Sequence, residues 1–275
     1  MAKTPHGHRC IQISQHPMKL DLQGKRVLIT GGSSGIGAAT AHVFASIGAD
    51  VVLVARNADK LKQVQSSITA TLKEQQLRNV NIETQVCDVS TARNIDNLSK
   101  AVGAFDILIN NAGAVPSGSL LDVDDQAWRT GWDSKVFSYI NMCRTFYPII
   151  RNQGGGVIVN VLGNGSLMKR PDYLCAGMGN AALDFFTETL GGSSPKDNIR
   201  VIGISPGPVD TERYQNIAKK RIQTLGKPRQ YPFDRIANPQ EIGRLIAFCS
   251  SDFCAYVSGT ILVADAGMSV SKALE

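Results

Sequence analysis

The stretch that decides the fold is Val27-Leu-Ile-Thr-Gly-Gly-Ser-Ser-Gly-Ile-Gly37. Its first three residues are apolar without polar alternation, which is typical of a strand buried on both faces of a parallel sheet. Gly31, Gly35 and Gly37 follow where the chain must turn tightly, approach a ligand and pack a helix onto the sheet. The helix predicted to begin near Gly35 directs its unpaired N–H groups into this turn. An ordinary loop is the alternative, but the order of strand, glycine turn and helix favours a dinucleotide phosphate site.

The composition favours one globular domain. The chain has 275 residues, of which 43% are hydrophobic, and no shift in composition marks a second domain. No apolar run is long enough to cross a bilayer, and the N-terminus lacks the apolar core of a secretion signal. We therefore expect a cytoplasmic protein without a membrane partner. The net charge of +6 is dispersed, so we expect no nucleic-acid partner and only a modest preference for anionic ligands.

The cysteines and histidines do not predict a metal site. The six cysteines have no CxxC or Cys/His spacing, so we interpret them as small core residues: Cys10, Cys87, Cys143, Cys175, Cys249 and Cys254. Residues 1–19 contain His6-Gly-His8 but little apolar periodicity. This pattern favours a flexible N-terminal extension over opportunistic metal binding, and it leaves residues 20–275 as the folded domain.

Short apolar runs alternate with helical segments after the glycine turn. The predicted strands are Val51–Ala55, Ile82–Val86, Ile107–Asn110, Val157–Leu162, Val201–Ser205 and Ile261–Val263. Strands that alternate with helices in this way predict an α/β fold, here a single-domain Rossmann-type doubly wound parallel sheet.

The residues after the second and third strands bear on the choice of cofactor. Arg56 follows Ala55 about twenty residues past the glycine turn, where the adenosine ribose is expected. A cation there accommodates a 2′-phosphate, which favours NADP and leaves NAD open, while a solvated strand-end arginine is the alternative. Asp88, with Val89 beside it, is placed to accept a hydrogen bond from the adenine amino group. It is placed equally well to cap a helix that begins near Ser90.

Two further motifs give the chain a resemblance to a known family. They are Ile107-Leu-Ile-Asn-Asn-Ala-Gly113 and Pro206-Gly-Pro-Val-Asp-Thr211. With the glycine turn they make the chain similar to short-chain dehydrogenases/reductases from about Leu20 to Gly267. The resemblance implies a homo-tetramer or homo-dimer with a small carbonyl or alcohol substrate. The cofactor-binding residues expected from the motifs are Gly31, Ser33, Ser34, Gly35, Ile36, Gly37, Arg56, Asp88, Val89, Asn111, Ala112, Gly113, Pro206, Gly207, Val209 and Thr211.

The chain differs from that family at the positions of the catalytic residues. Family members carry Tyr-x-x-x-Lys on a helix, in which the tyrosine transfers a proton and the lysine lowers its pKa. Here Gly177 stands four positions after Tyr173, and Gly163 stands where the family has a serine. In the register of Gly179-Asn-Ala-Ala-Leu183, Asn180 occupies the lysine position and Ala176 the tyrosine position. We favour Tyr173 as the proton-transfer residue, whereas a packed aromatic at the helix entrance is the alternative.

Lys135 is the residue that we expect to replace the absent lysine. It lies in a mostly apolar stripe with Trp128, Gly131, Trp132, Ser138, Tyr139 and Met142 at helical spacing. By the resemblance it falls where the family carries an asparagine. We therefore hypothesise an exchange, in which Lys135 supplies the cation near Tyr173 and Asn180 takes the vacated hydrogen-bonding place. The alternatives are that Lys135 extends to solvent or pairs with Asp133 or Asp184.

Two segments could complete the substrate site. Ser166, with Asn164, is a polar residue near enough to orient the substrate oxygen, although a turn motif explains both. Residues 212–235 are predicted to form a basic lid that contains Lys219, Lys220, Arg221, Lys227 and Arg229. These cations either attract a carboxylate or phosphate on the substrate or form a solvated lid surface, and the pattern does not choose a substrate. The expected function is hydride transfer between a nicotinamide and a carbonyl or secondary alcohol. A dinucleotide-binding sensor or structural partner subunit without turnover is the alternative, because the usual motifs are altered.

Overall fold

A computed structural model describes residues 20–77, 79–225 and 230–271. The predicted extension at residues 1–19 lies outside the described residues. Seven parallel strands form one sheet in the order β3-β2-β1-β4-β5-β6-β7. Their bounds are β1 Arg26–Thr30, β2 Asp50–Ala55, β3 Ile82–Val86, β4 Ile107–Asn110, β5 Gly156–Val161, β6 Ile199–Pro206 and β7 Thr260–Ala264. The predicted doubly wound parallel sheet is confirmed.

Helices cover both faces of the sheet. They are α1 Gly35–Ser46, α2 Ala58–Glu74, α3 Ala92–Val102, α4 Asp125–Trp132, α5 Ser138–Asn152, α6 Gly165–Met168, α7 Leu174–Ser193, α8 Glu212–Leu225 and α9 Pro239–Ser250. A π-helical turn, Asp133–Phe137, joins α4 to α5. No helix of the described ranges is long and apolar enough to span a membrane.

The apolar run of β1 is explained by burial on both sides. Ile29 packs with Phe44 of α1 and Ile246 of α9 in one core cluster. Leu28, which points to the other face, packs with Phe146 of α5 in the second cluster. A strand between two helical layers has no solvent face, so its residues do not alternate with polar ones.

The strand order places the functional site at the carboxyl end of the sheet. β1 continues outward to β2 and β3, whereas the chain returns to β4 on the other side of β1. Connections therefore diverge from the ends of β1 and β4, and this divergence opens the crevice in which doubly wound proteins bind their ligands. The glycine turn after β1 and Asn111–Gly113 after β4 flank that crevice.

Candidate functional site

The glycine turn is built for close backbone approach. Gly31 and Gly35 have φ angles of +68° and +55°, which L side chains rarely adopt. A β-carbon on Gly37 would lie 2.2 Å from the carbonyl oxygen of Gly31, so α1 packs directly on the turn. A β-carbon on Gly35 would lie 3.1 Å from Thr211 Cγ2, which brings the segment after β6 to the rim of the same turn.

The N-terminus of α1 fits a phosphate group. Ser34 is the N-cap residue, yet its side chain forms no capping hydrogen bond, and the first turn of α1 has no acidic residue. The first N–H groups of the helix thus have neither a side-chain acceptor nor a competing negative charge. Together with the glycine cradle, this arrangement fits the pyrophosphate of a dinucleotide. Ser33 and Ile36 lie in the same turn.

The segment after β4 is tied to the glycine turn by the buried hydroxyl of Thr30. Thr30 Oγ1 accepts hydrogen bonds from the backbone N–H groups of Asn111 at 2.9 Å and Ala112 at 3.0 Å. The Asn111 amide donates in return to the carbonyl oxygens of Thr30 at 3.1 Å and Gly31 at 3.3 Å. These bonds hold Asn111 and Ala112 beside the proposed phosphate site.

One interpretation of Asp88 was wrong. The helix predicted near Ser90 begins at Ala92 with Thr91 as its N-cap, so Asp88 does not cap it. Asp88 Oδ1 instead accepts from the backbone N–H of Ser90 at 3.0 Å, because a short turn separates β3 from α3. The adenine contact of Asp88, with the buried Val89 beside it, stays a prediction, as does the ribose contact of the exposed Arg56.

Two of the predicted catalytic residues meet at Gly165. A β-carbon on this glycine would lie 2.7 Å from Tyr173 Cε1 and 3.0 Å from Asn180 Nδ2. Asn180 is 4% exposed and also faces Gly163, whose β-carbon would lie 3.2 Å from Asn180 Nδ2. Tyr173 is the N-cap residue of α7. The glycines thus leave space for the tyrosine ring and the asparagine amide at the carboxyl end of β5.

Lys135 reaches the same strand end from the π-helical turn. Its Nζ donates to the carbonyl oxygen of Leu162 at 3.0 Å, so the ammonium points inward and does not extend to solvent. Burial, assisted by the positive charge of Arg213, lowers the pKa of Lys135 to about 7, and Asp184 partly opposes this shift. Among the described residues Lys135 forms no ion pair with Asp184 or with the exposed Asp133.

The polar residues around this lysine form a partly unsatisfied cluster. Ser166 Oγ and Asp184 Oδ1 are buried without a well-formed hydrogen bond among the described residues. Burial raises the pKa of Asp184, while the nearby Ser166 hydroxyl opposes the rise. The Asn164 amide instead donates to Asp265 Oδ2 at 3.2 Å, and Asn164 is the N-cap residue of α6. Ser166 therefore lies beside Asp184, whereas Asn164 is bonded to Asp265.

Sequence reasoning missed two residues at this site. Tyr139 donates from its buried hydroxyl to Val161 O at 2.7 Å, and its ring centroid lies 6.0 Å from Lys135 Nζ. Arg213, in the first turn of α8, donates from Nη1 to Gly113 O and from Nη2 to Val115 O, each at 3.2 Å. Tyr139 had the signal of an apolar helix position, whereas Arg213 had none that separated it from other basic residues of the lid.

The segment from Pro206 to Thr211 forms the remaining wall. Pro206 ends β6, and Gly207 N donates to Ala264 O at 3.1 Å. Val209 is buried and pairs with Ala237, which holds the start of the predicted lid against the loop before α9. The lid contains α8, whereas its predicted basic residues Lys227 and Arg229 lie outside the described residues.

Comparison with known proteins places this chain in a family. Residues 31–269 match the family model described as enoyl-(acyl carrier protein) reductase. Dehydrogenase/reductase SDR family member 6 of Aquarana catesbeiana is 31% identical over 90% of this chain and 99% of its own. The chain belongs to the short-chain dehydrogenase/reductase family. The predicted membership is confirmed.

Solved structures of this family carry the relevant cofactor. L-Sorbose reductase from Gluconobacter frateurii, complexed with NADPH and L-sorbose, has a TM-score of 0.83 and 30% identity; the match covers 92% of this chain and 100% of that one. An NADPH-bound short-chain oxidoreductase from Pseudomonas aeruginosa PAO1, described as containing an atypical catalytic center, has a TM-score of 0.79 and 26% identity over 90% and 97% of the chains. Family members thus bind NADPH in this fold, one of them with an altered catalytic centre.

Proposed function

We propose that this chain is an NADP-preferring oxidoreductase that interconverts a carbonyl and a secondary alcohol, with Tyr173 as the proton-transfer residue. The main support is that the Tyr173 ring and the Asn180 amide both lie against Gly165. The Lys135 ammonium binds the carbonyl oxygen of Leu162, three residues before this glycine at the carboxyl end of β5. The bound nicotinamide would supply or accept the hydride. The protein's contribution is to position the substrate oxygen and to move its proton.

The glycine cradle and the uncapped α1 terminus support the cofactor assignment, and Arg56 supports NADP over NAD. Arg56 is exposed at the end of β2, and no acidic residue takes its place. A guanidinium there would pair with a ribose 2′-phosphate, whereas a carboxylate would repel it. NAD binding stays open because a cation does not exclude an unphosphorylated ribose.

Proton transfer is proposed for the Tyr173 hydroxyl. In carbonyl reduction it would donate a proton to the substrate oxygen, and in alcohol oxidation it would accept one. The Lys135 ammonium would stabilise the negative charge that develops on the tyrosine oxygen. The Asn180 amide would hold the hydrogen-bonding place that a lysine fills in the usual family motif, and Ser166 would orient the substrate oxygen in place of the missing serine.

Two variants test this assignment. NADPH oxidation is followed by absorbance with a panel of carbonyl compounds, and cofactor binding is followed separately by fluorescence. Tyr173→Phe and Lys135→Met should each lower kcat by about 10²-fold or more, because general acid–base steps contribute on that order. Cofactor binding should be retained.

The controls lie away from the carboxyl ends of the strands. Tyr147→Phe removes a hydroxyl that donates to Asp197 at 2.7 Å, and Lys100→Met removes an exposed cation in the last turn of α3. Both should keep wild-type turnover. Tight NADPH binding without oxidation across the panel at several pH values would instead favour a sensor or structural partner subunit.

A further inference from the structure

Two residues that carry a positive charge, Arg213 and Lys135, contact one glycine of the proposed site. The carbonyl oxygen of Gly113 accepts a hydrogen bond from Arg213 Nη1 at 3.2 Å. The α-carbon of the same glycine packs on the lysine turn, since a β-carbon there would lie 2.7 Å from Lys135 Cβ. Arg213 comes from the lid and Lys135 from the π-helical turn, and the charge of Arg213 acts on the Lys135 amine.

Among the residues that the structure describes, no carboxylate forms an ion pair with either cation. Both side chains donate to uncharged backbone carbonyls: Lys135 to Leu162 O, and Arg213 to Gly113 O and Val115 O. A guanidinium prefers a carboxylate that accepts two hydrogen bonds at once, and backbone carbonyls do not satisfy that preference.

Three carboxylates of the neighbouring loop and lid are engaged elsewhere. Asp210 Oδ1 accepts from Gln215 at 2.8 Å, and Glu212 pairs with Lys60 at 3.6 Å. Asp265 accepts from the backbone N–H groups of Gly267 and Ser269, each at 2.9 Å. These three acidic groups of the loop and lid therefore already have partners. Asp184 of α7 acts on the Lys135 amine through its charge but forms no ion pair with it among the described residues.

We propose that the substrate carries a carboxylate, and that this anion binds between the Lys135 ammonium and the Arg213 guanidinium. The inference rests on the proposed oxidoreductase function and names the substrate class for it, a keto acid or the matching hydroxy acid. The anion compensates the two like charges, while the carbonyl of the same molecule faces Tyr173.

The protonation of Lys135 supplies a distinctive signature. Three groups on the elements around this amine act on it or lie against it: Arg213 of α8, Asp184 of α7 and Tyr139 of α5. Burial and Arg213 lower the pKa of the free amine to about 7. A bound carboxylate would raise that pKa, so the complex would take up a proton at a pH above 7.

The test measures binding of carboxylates to the protein saturated with NADP. Pyruvate, levulinate and benzoylformate are each compared by titration calorimetry with their methyl esters, which keep the carbonyl and lose the charge. We expect at least one acid to bind about tenfold more tightly than its ester. At pH 8, two buffers of different ionisation enthalpy should reveal uptake of up to one proton per site.

The variants separate the two cations from general effects on the fold. Arg213→Met should abolish the preference for acid over ester, and Lys135→Met should abolish the proton uptake. Arg151→Met, in the last turn of α5 just before the amino end of β5, is the matched control and should change neither.

Three outcomes overturn the anion site: esters that bind as tightly as acids, acids that bind Arg213→Met undiminished, or no binding by any acid. Loss of cofactor affinity alone in Arg213→Met would assign the guanidinium to the cofactor and would also overturn it. Reduction of neutral ketones without acid binding leaves the oxidoreductase function standing. Acid binding without any NADPH oxidation refutes that function and leaves the anion site.

Discussion

The ammonium of Lys135 donates to the carbonyl oxygen of Leu162 at 3.0 Å. This bond places a cation from the turn between α4 and α5 at the carboxyl end of β5, close to the glycines that face Asn180. This hydrogen bond fixes the position of the ammonium inside the protein, whereas the ammonium of a solvent-directed lysine is not fixed. π-helical turns often occur at functional sites, and this one carries the lysine.

The first prediction concerns the pH dependence of carbonyl reduction. Because the pKa of Lys135 is lowered to about 7, its ammonium is lost as the pH rises through that value. If the cation supports proton transfer, kcat/KM should fall on the alkaline side with a midpoint near 7. Lys135→Arg keeps a charge at every pH and should remove that limb of a profile measured from pH 5.5 to 9.

A second substitution checks which group sets the midpoint. The negative charge of Asp184 raises the pKa of Lys135, so Asp184→Asn should move the alkaline limb to lower pH. Lys100→Arg should leave the limb in place. An alkaline limb that persists unchanged in Lys135→Arg would show that another group is titrating.

The second prediction concerns stability. The pKa of Lys135 is about 7 in the folded protein, against an ordinary lysine value of 10.5, so the unfolded chain binds more protons between these values. Stability therefore rises with pH across that window, and the burial penalty is fully present below about pH 7. Relative to Lys135→Met, the wild type should gain unfolding free energy from pH 7 to pH 10.

The measurement is urea unfolding of both proteins at several pH values, with Lys100→Met as the control. The difference between wild type and Lys135→Met should change with pH, whereas the difference from the control should stay flat. A flat difference for Lys135→Met as well would mean that the amine is freely hydrated.

The third prediction concerns the glycine turn. Gly37→Ala would place a methyl group 2.2 Å from Gly31 O, so the turn must shift. We expect a loss of about 1–3 kcal/mol of unfolding free energy, the usual range for overpacking, together with weaker NADPH binding. Chemical denaturation and fluorescence titration measure the two effects.

The matched control is Gly192→Ala in α7, where a β-carbon meets nothing within 4 Å. This exposed helical position should be neutral or gain up to about 1 kcal/mol from the reduced entropy of the unfolded chain. Equal stability of the two variants would contradict the packing of α1 against the turn.

The fourth prediction concerns cofactor choice. Arg56→Glu should weaken NADPH binding by on the order of tenfold or more, since a charge-assisted hydrogen bond contributes about 1.5–3 kcal/mol. NADH binding should change little, because that cofactor has no 2′-phosphate. Fluorescence titration measures both, and Lys62→Glu on the exposed face of α2 is the charge-matched control. Equal losses for both cofactors would place Arg56 away from the 2′-phosphate.

The sequence by itself determined the sheet and the phosphate turn. Val27–Ile29 has no polar alternation because both faces of β1 are covered, and Gly31, Gly35 and Gly37 mark positions that tolerate no side chain. These are local requirements of backbone conformation and burial, so each one restricts the residue type at the position where it acts. The end of β6 and the start of α3 were displaced by one or two residues, because element ends depend on hydrogen bonds and not on periodicity.

Only the tertiary structure decided which partners the two cations contact. Lys135 and Leu162 are distant in sequence, as are Arg213 and Gly113, and nothing in the pattern around either residue specifies its partner. The pKa of the lysine likewise depends on burial created by packed elements and on a guanidinium from the lid. Electrostatic energies depend on distance and on the surrounding medium, and folding sets both.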